Sequence, residues 1–198
     1  ILSLTEGITI PHRQTTAMQN NRENMTRTEI DNTEHPLFAP FEKLYAVSFP
    51  LFEQRTRMQQ EAAFGSTNYR LAGFADEDSF SGFISYWEFD TYVYIEHFAI
   101  DTDKRGRGLG SEILRSFIRS AGKTVLLEID PLTDEISRAR LRFYEKCGLT
   151  RNPYPHTHPP YREGHRPHPL IVLTTGGPIP EEMYRTFEHD LHAVVMKR

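Results

Sequence analysis

The stretch Asp101 to Leu114, D-T-D-K-R-G-R-G-L-G-S-E-I-L, restricts what this chain can fold into more than any other. An apolar, β-branched and aromatic run, Thr91 to Ile100, precedes it, and an amphipathic pattern follows. The order is therefore strand, tight glycine-rich turn, helix. Gly106, Gly108 and Gly110 lack a Cβ, so consecutive N–H groups can turn toward one point and a ligand can come close. The helix that starts there adds its positive dipole end and its unpaired first-turn amides. Arg105 and Arg107 add positive charge. The product is an anion site sized for a phosphate or pyrophosphate. The third glycine comes too soon for G-x-G-x-x-G, and no G-K-[ST] follows. On spacing alone, a basic turn with glycines at its bends explains the stretch equally well.

The rest of the 198 residues reads as follows. Residues 1–25 are polar and without period, a mobile arm ahead of a domain spanning 26–198. Met18 and Met25 are each an expected start. Thr26 to Asp31 is a short strand. A helix opens at Pro36 or Pro40 and runs to about Phe49, where Pro50 interrupts it. Glu53 to Phe64 reads as a second helix ended by Gly65. Tyr69–Phe74 and Phe80–Phe89 are strands joined by an acidic hairpin turn, Asp76-Glu77-Asp78. After the glycine turn, Leu109, Ile113, Leu114, Phe117 and Ile118 share one helix face. Thr124–Ile129 is an apolar run suited to a strand covered on both sides. Thr133 or Asp134 caps the next helix, with Ile136, Ala139/Arg140, Phe143 and Cys147 inward and Gly148 at its end. Leu149–Pro160 is irregular or an edge. Leu170–Thr174 is a strand. Pro180 opens a last helix with Met183, Phe187, Leu191 and Val194/Val195 inward. This order makes an α/β (α+β) fold, a mixed, mostly antiparallel sheet with helices on both faces.

Composition removes some classes of function. A net charge of −4 opposes a nucleic-acid binder, which needs a basic face. No apolar run is long enough to span a bilayer. One cysteine, Cys147, forbids an internal disulfide and fits a cytoplasmic location.

Four pieces carry a family resemblance: Tyr94–Ser111 with R-x-x-G-x-G as Arg105, Gly108 and Gly110; L-L-E-I-D-P from Leu126; R-L-R-F-Y-E-K-C-G-L from Arg140; and N-P-Y-P…P-P-Y-R-E-G…P-L from Asn152 to Leu170. In this order they resemble the GNAT superfamily of acetyl-CoA-dependent N-acetyltransferases. The last piece is similar to one bacterial branch. The likeness covers roughly Phe38 to Thr175. It implies the GNAT fold, acetyl-CoA as co-substrate, and transfer of acetyl to an amine by direct attack in a ternary complex. It further implies that Phe98, Ala99 and Ile100 hydrogen-bond the pantetheine arm. Arg105, Gly106, Arg107, Gly108, Leu109, Gly110 and Ser111 would hold the pyrophosphate.

The chemistry sets three demands. A primary amine with a pKa of about 10.4 is protonated at neutral pH, with roughly 4 kcal/mol against the free nucleophile. A general base or a desolvating slot must supply neutral amine. An N–H must stabilise the thioester oxygen, and an acid must meet the leaving thiolate. Glu96, interrupting the strand just before the turn, is the expected base, although a carboxylate paired with an arginine would look the same. His97 falls on the opposite face of a regular strand; a bulge would change that. Glu128 is a third candidate, or a residue shaping the acceptor slot. Tyr144 is the expected acid by resemblance, with a core tyrosine as the plain alternative. Phe49, Phe52, Glu53 and Arg55 on one side, and Tyr161 and Arg162 on the other, are expected around the acceptor. The acids there favour a cationic small-molecule or peptide amine. His156, His158, His165 and His168 read as exposed loop histidines, with no metal. A homodimer stays open, and so does a non-catalytic acyl-CoA sensor on the same scaffold.

Overall fold

The computed structural model describes residues 25–76 and 79–197. The polar arm before Met25, and Glu77 and Asp78 of the acidic hairpin turn, lie outside the described residues. The strands are β1 (Thr26–Glu29), β2 (Tyr69–Ala75), β3 (Phe80–Glu88), β4 (Tyr92–Ile100), β5 (Thr124–Ile129), β6 (Leu149–Arg151), β7 (His156–His158) and β8 (His168–Thr175). They form one sheet ordered β1-β2-β3-β4-β5-β8-β6, with β7 paired to β8 beside that path. β4 and β5 are parallel, and the other pairings are antiparallel. The α-helices are α1 (Phe38–Ser48), α2 (Arg57–Phe64), α3 (Leu109–Ala121), α4 (Glu135–Lys146) and α5 (Glu181–Asp190).

Two apolar layers sandwich the sheet. On one face Phe38, Phe41, Leu44 and Tyr45 of α1 meet Tyr184 and Phe187 of α5 over Phe83, Tyr92, Tyr94 and Leu126. On the other, Ile113, Leu114 and Phe117 of α3 and Leu141 and Tyr144 of α4 cover Val93, Ile95, Phe98, Val125 and Leu127. β5 thus alternates between two cores, which is why its sequence is a continuous apolar run.

Three expectations need correction. The second helix starts at Arg57, not Glu53. Leu51–Glu53 is a single 3₁₀ turn after Pro50. Thr56 then begins a new helix with a capping box: its hydroxyl accepts from the Gln59 amide, and the Gln59 side chain accepts from the Thr56 amide. In α4 the inward stripe is rotated by one residue. Ser137, Arg140, Leu141 and Tyr144 are buried, while Ile136 is 46% exposed. Asp134 caps the helix through the Ser137 amide, and the buried Arg140 guanidinium pairs with Asp130 at the end of β5, fixing that rotation. Finally, the segment Leu149–Pro160 does hold an edge strand, β6, but it also holds β7, so His156 and His158 are not loop residues.

β3 and β4 approach closely at Gly82, opposite Ile100. A Cβ there would lie 2.5 Å from the Ala99 carbonyl oxygen and 2.8 Å from Ile100 Cδ1. Gly82→Ala is expected to destabilise the protein by about 2 kcal/mol through overpacking. Urea unfolding checks this; an unchanged midpoint would show that the two strands part without strain.

Candidate active site

β4 and β5 run together only from Tyr92↔Thr124 to Ile95↔Leu127. Beyond that pair the strands diverge, while β4 stays bonded to β3 as far as Ile100. Among the described residues, the edge of Phe98, Ala99 and Ile100 that faces β5 therefore has no strand beside it. The Ile100 carbonyl accepts from Arg105 Nε at 2.9 Å, which folds the arginine stem back over the strand end.

The glycine loop begins there. Asp101 Oδ1 accepts from the Asp103 amide (2.9 Å) and starts a 3₁₀ turn, Thr102–Lys104. Lys104 Nζ ties that turn to Asp76 Oδ2 and Ser81 Oγ, both at 2.7 Å. Gly106 (φ +74°) and Gly108 (φ +81°) are left-handed, a conformation that strains any other residue. The first bond into α3 is Glu112 N–H to the Gly108 carbonyl (3.1 Å). Among the described residues, none accepts from the amides of Gly106, Gly108, Leu109, Gly110 or Ser111. A Cβ on Gly110 would lie 3.3 Å from Ile100 Cγ1, so the loop sits against the end of β4. Gly108, Ser111, Arg115 and Arg119, together with the acidic Glu112, line an open groove alongside. Its basic side chains and uncommitted amides fit a phosphorylated ligand.

At the point of divergence β4 is bulged. Ser85 pairs with His97 and Tyr86 with Ile95, so Glu96 has no counterpart. Alternation along the strand resets there. Tyr92, Tyr94 and Ala99 face the α1/α5 layer, and Ile95, Phe98 and Ile100 face α3 and α4. His97 packs on Tyr45 and Phe49, with ring centroids 4.9 and 4.7 Å away. The strand is not regular here, and the bulge, the stated alternative, turns Glu96 and His97 to one side.

That side holds a narrow cavity lined by Glu53, Tyr94, Glu96, His97, Glu128, His158, Tyr161, His168 and Leu170. Glu96 and Glu128 are the residues next to the last β4–β5 pair, so the cavity lies at the fork itself. Glu53 and Tyr161, expected around the acceptor, line it. Phe49 braces it through His97, and Phe52 stacks on His165 and meets His168 edge-on. Arg162 Nε donates to the carbonyls of Leu51 (2.9 Å) and Gln54 (3.2 Å), holding the 3₁₀ turn.

The three carboxylates differ in environment. Glu96 accepts from Arg55 Nη2 (2.6 Å), Trp87 Nε1 (2.9 Å) and the Tyr161 hydroxyl (3.0 Å). Burial pushes its pKa up most strongly, yet the Arg55 charge and the bonds from Arg55 and Trp87 together hold it below the usual range. Arg55 also stacks over Trp87 and Tyr161 and donates to the Val195 carbonyl (2.8 Å). Glu128 is likewise buried, and opposing it the facing His158 and bonds from His156 and Tyr94 hold its carboxyl well below normal. Glu53 differs. It is 4% exposed, its Oε2 has no partner among the described residues, and burial pushes its pKa up to about 7. Beneath it, His97 Nε2 donates to the Glu53 carbonyl (2.9 Å); burial lowers His97 to about 3, so the ring is neutral.

The histidine expectation is corrected here. His156 and His158 are buried, 5% and 2% exposed. His156 bridges Glu128 and the Tyr184 hydroxyl. His158 Nδ1 donates to the Pro159 carbonyl (2.5 Å), leaving Nε2 turned to the cavity, 3.8 Å from Glu128 Oε2 and without a hydrogen-bond partner among the described residues. Their period-2 spacing, H-T-H, is the strand signal that proline-rich flanks obscured. Among the described residues, no three His, Cys, Asp or Glu side chains are grouped to hold a metal ion, and no helix is long and apolar enough to cross a membrane.

Tyr144 lies across the sheet, 1% exposed, its pKa raised by burial, with no described residue bonded to its hydroxyl. Cys147 is buried at the end of the same helix, and burial raises its thiol too.

Comparison with known proteins places this geometry. The model of the acetyltransferase (GNAT) family matches residues 35–149. YjbC of Bacillus subtilis strain 168, named as an acetyltransferase, is 27% identical over 108 residues; the match covers 54% of each chain, so this chain spans about half the length of that curated relative. A GNAT-family structure from Bacteroides thetaiotaomicron superposes with a TM-score of 0.80 at 27% identity, covering 87% of this chain and 99% of that one. A GNAT acetyltransferase from Elizabethkingia anophelis with acetyl-CoA bound has a TM-score of 0.53 at 16% identity, over 77% of this chain and 98% of that one, which is a likeness of fold. With the forked β4–β5 pair, the glycine turn into α3 and a family match over more than half its length, this chain belongs to the GNAT acetyltransferase family.

Proposed function

We propose that the protein is an N-acetyltransferase that carries acetyl from acetyl-CoA to an amine in a ternary complex. The observation that carries this reading is the fork: an unpaired strand edge leads from an anion-binding loop to a buried polar cavity. The amides of Gly106 and Gly108 to Ser111, with Arg107, hold the pyrophosphate. The free edge of Phe98, Ala99 and Ile100 takes the pantetheine arm as a strand would. Acetyl-CoA supplies the activated acyl group. An amide at the bulge end of β4 polarises the thioester carbonyl.

Tyr144 protonates the departing sulfur. Its hydroxyl has no internal bond to break first, and its raised pKa keeps it protonated at neutral pH. Glu96 anchors the site: three donors hold it, and with Arg55 it fixes Tyr161 and the α1–α2 connection. The buried, thiol-form Cys147 argues for direct attack with no covalent enzyme intermediate. Holding both substrates in line supplies much of the acceleration. A single cysteine suits a cytoplasmic home.

Acetyl-CoA binding is the direct test. Calorimetry is expected to show saturable binding, weakened at least about tenfold by Gly108→Trp, whose side chain fills the left-handed turn. No binding by the unaltered protein would reject the reading; tight binding with no turnover on any amine would make it a sensor. Tyr144→Phe is expected to lower kcat by about a hundredfold with little change in the KM for acetyl-CoA. Unchanged turnover would remove the acid role and leave the fold assignment standing.

A further inference from the structure

Away from the fork, at one end of the sheet, β1 has β2 on one side only. The ladder fixes which of its backbone groups are spent. Ile30 N–H donates to the Leu71 carbonyl (2.8 Å), so in this antiparallel pair Thr26, Thr28 and Ile30 turn their N–H and C=O groups toward β2. Arg27 and Glu29 alternate with them and turn theirs outward. Among the described residues, no backbone group meets that outer edge. An open edge is a template for another strand unless something blunts it. This one is blunted against strands in general, since it has 4 residues and carries both an arginine and a glutamate. The same two charges suit one particular partner.

Side chains alternate with the pleat. Thr26, Thr28 and Ile30 lie on the α1/α5 side, where Ile30 joins the core. Arg27 and Glu29 lie on the α3 side. Arg27 Nη2 donates to the Tyr86 hydroxyl (3.0 Å), and its guanidinium sits over the Phe117 ring at 5.7 Å. Glu29 meets Arg70 Nε at 3.3 Å and its side chain stays 57% exposed. A cation and an anion thus stand two positions apart on one face of an open edge.

A second copy of β1, antiparallel across a two-fold axis normal to the sheet, can meet this edge centred on Arg27, on Glu29 or on Thr28 with the outward groups facing each other. Centred on Arg27, the pairing sets two arginines face to face. Centred on Glu29, it opposes two glutamates. Centred on Thr28, it places Arg27 of each copy opposite Glu29 of the other, with no like pair. Arg27 and Glu29 then exchange both of their backbone bonds. The two Thr28 side chains meet on the other face as a close, non-hydrogen-bonded pair, which suits threonine, and each cross-strand ion pair adds roughly 0.2–1 kcal/mol. We propose that β1 is a self-recognition edge, where two copies of this chain join as an antiparallel pair centred on Thr28 and continue one sheet into the other. The fit does not depend on the transferase reading. A strand this short makes a weak, concentration-dependent dimer, below the size of a permanent interface.

Sedimentation velocity of the full chain, from about 10 μM to about 1 mM, is expected to show a monomer–dimer equilibrium. Arg27→Glu and Glu29→Arg each set like charges opposite one another in this register, and each is expected to weaken dimerisation at least about tenfold. Both exchanges in one chain bring opposite charges together again and are expected to restore the dimer. An equimolar mixture of the two single variants is expected to associate as the unaltered chain does. Circular dichroism and the urea midpoint report whether each variant is folded. Cysteine trapping decides independently, because it keeps both charges: Thr28→Cys is expected to form a disulfide-linked dimer on mild oxidation, and Thr26→Cys, opposite Ile30 of the second copy, is not. A chain that stays monomeric, a dimer that a folded single variant leaves unchanged, a folded double exchange that stays weakened, or trapping through Thr26→Cys in place of Thr28→Cys would overturn the proposal.

Discussion

Past Ile95, β4 keeps its hydrogen bonds to β3 and loses β5, and the working part of the molecule follows from that loss. A peptide edge deprived of a neighbour inside a protein must find another partner. Here the edge ends at a loop whose amides, Gly106 and Gly108 to Ser111, meet no backbone carbonyl of the described residues. The bulge at Glu96 is part of the same departure. It raises local twist and lets two consecutive polar side chains enter one face. Without it, either Glu96 or His97 would sit in the apolar layer under α3 and α4, where nothing would satisfy it.

Gathering Glu53, Glu96 and Glu128 around one dry space sets like charges against one another. The fold resolves this unevenly. Glu96 has a guanidinium in contact, buried to 6% side-chain exposure. Removing one member of such a pair typically destabilises by about 3–5 kcal/mol. Glu128 accepts from Tyr94 and lies beside His156 and His158 of β7. Among the described residues no cationic side chain pairs with Glu53 Oε2. This carboxyl, at the end of a short 3₁₀ turn, is the one that burial pushes up toward neutrality.

The central scaffold was legible in the sequence because its signals are local. Thr124–Ile129 reads as a covered strand from six residues, and Gly106 and Gly108 announce left-handed backbone by lacking a side chain. The fork site was only partly legible. Glu53, Glu96, Glu128 and Tyr161 were visible as polar or aromatic residues in suitable segments, but their division of labour depends on partners far along the chain. Arg55 meets Glu96 across 41 positions, and His156 meets Glu128 across 28. Nothing within either segment encodes that meeting. His158 was hidden for a different reason. Its prolines suggested a loop, and only pairing with β8 makes a strand of it. The rotated stripe of α4 is a third case, since an ion pair between Asp130 and Arg140 overrode the apolar count that favoured Ile136.

The Arg55 guanidinium also donates to the Val195 carbonyl, which belongs to a π turn, Leu191–Val195, closing α5. A π turn holds one more residue per loop than an α turn, and that extra residue sets where the carbonyl points. Adding or deleting one residue between Glu181 and Val195 would swing this acceptor by about 100°, a single helical step, away from the arginine. The closing helix and the α1–α2 connector are thus phase-locked: neither can change its length alone without unmooring the acid at the centre of the sheet.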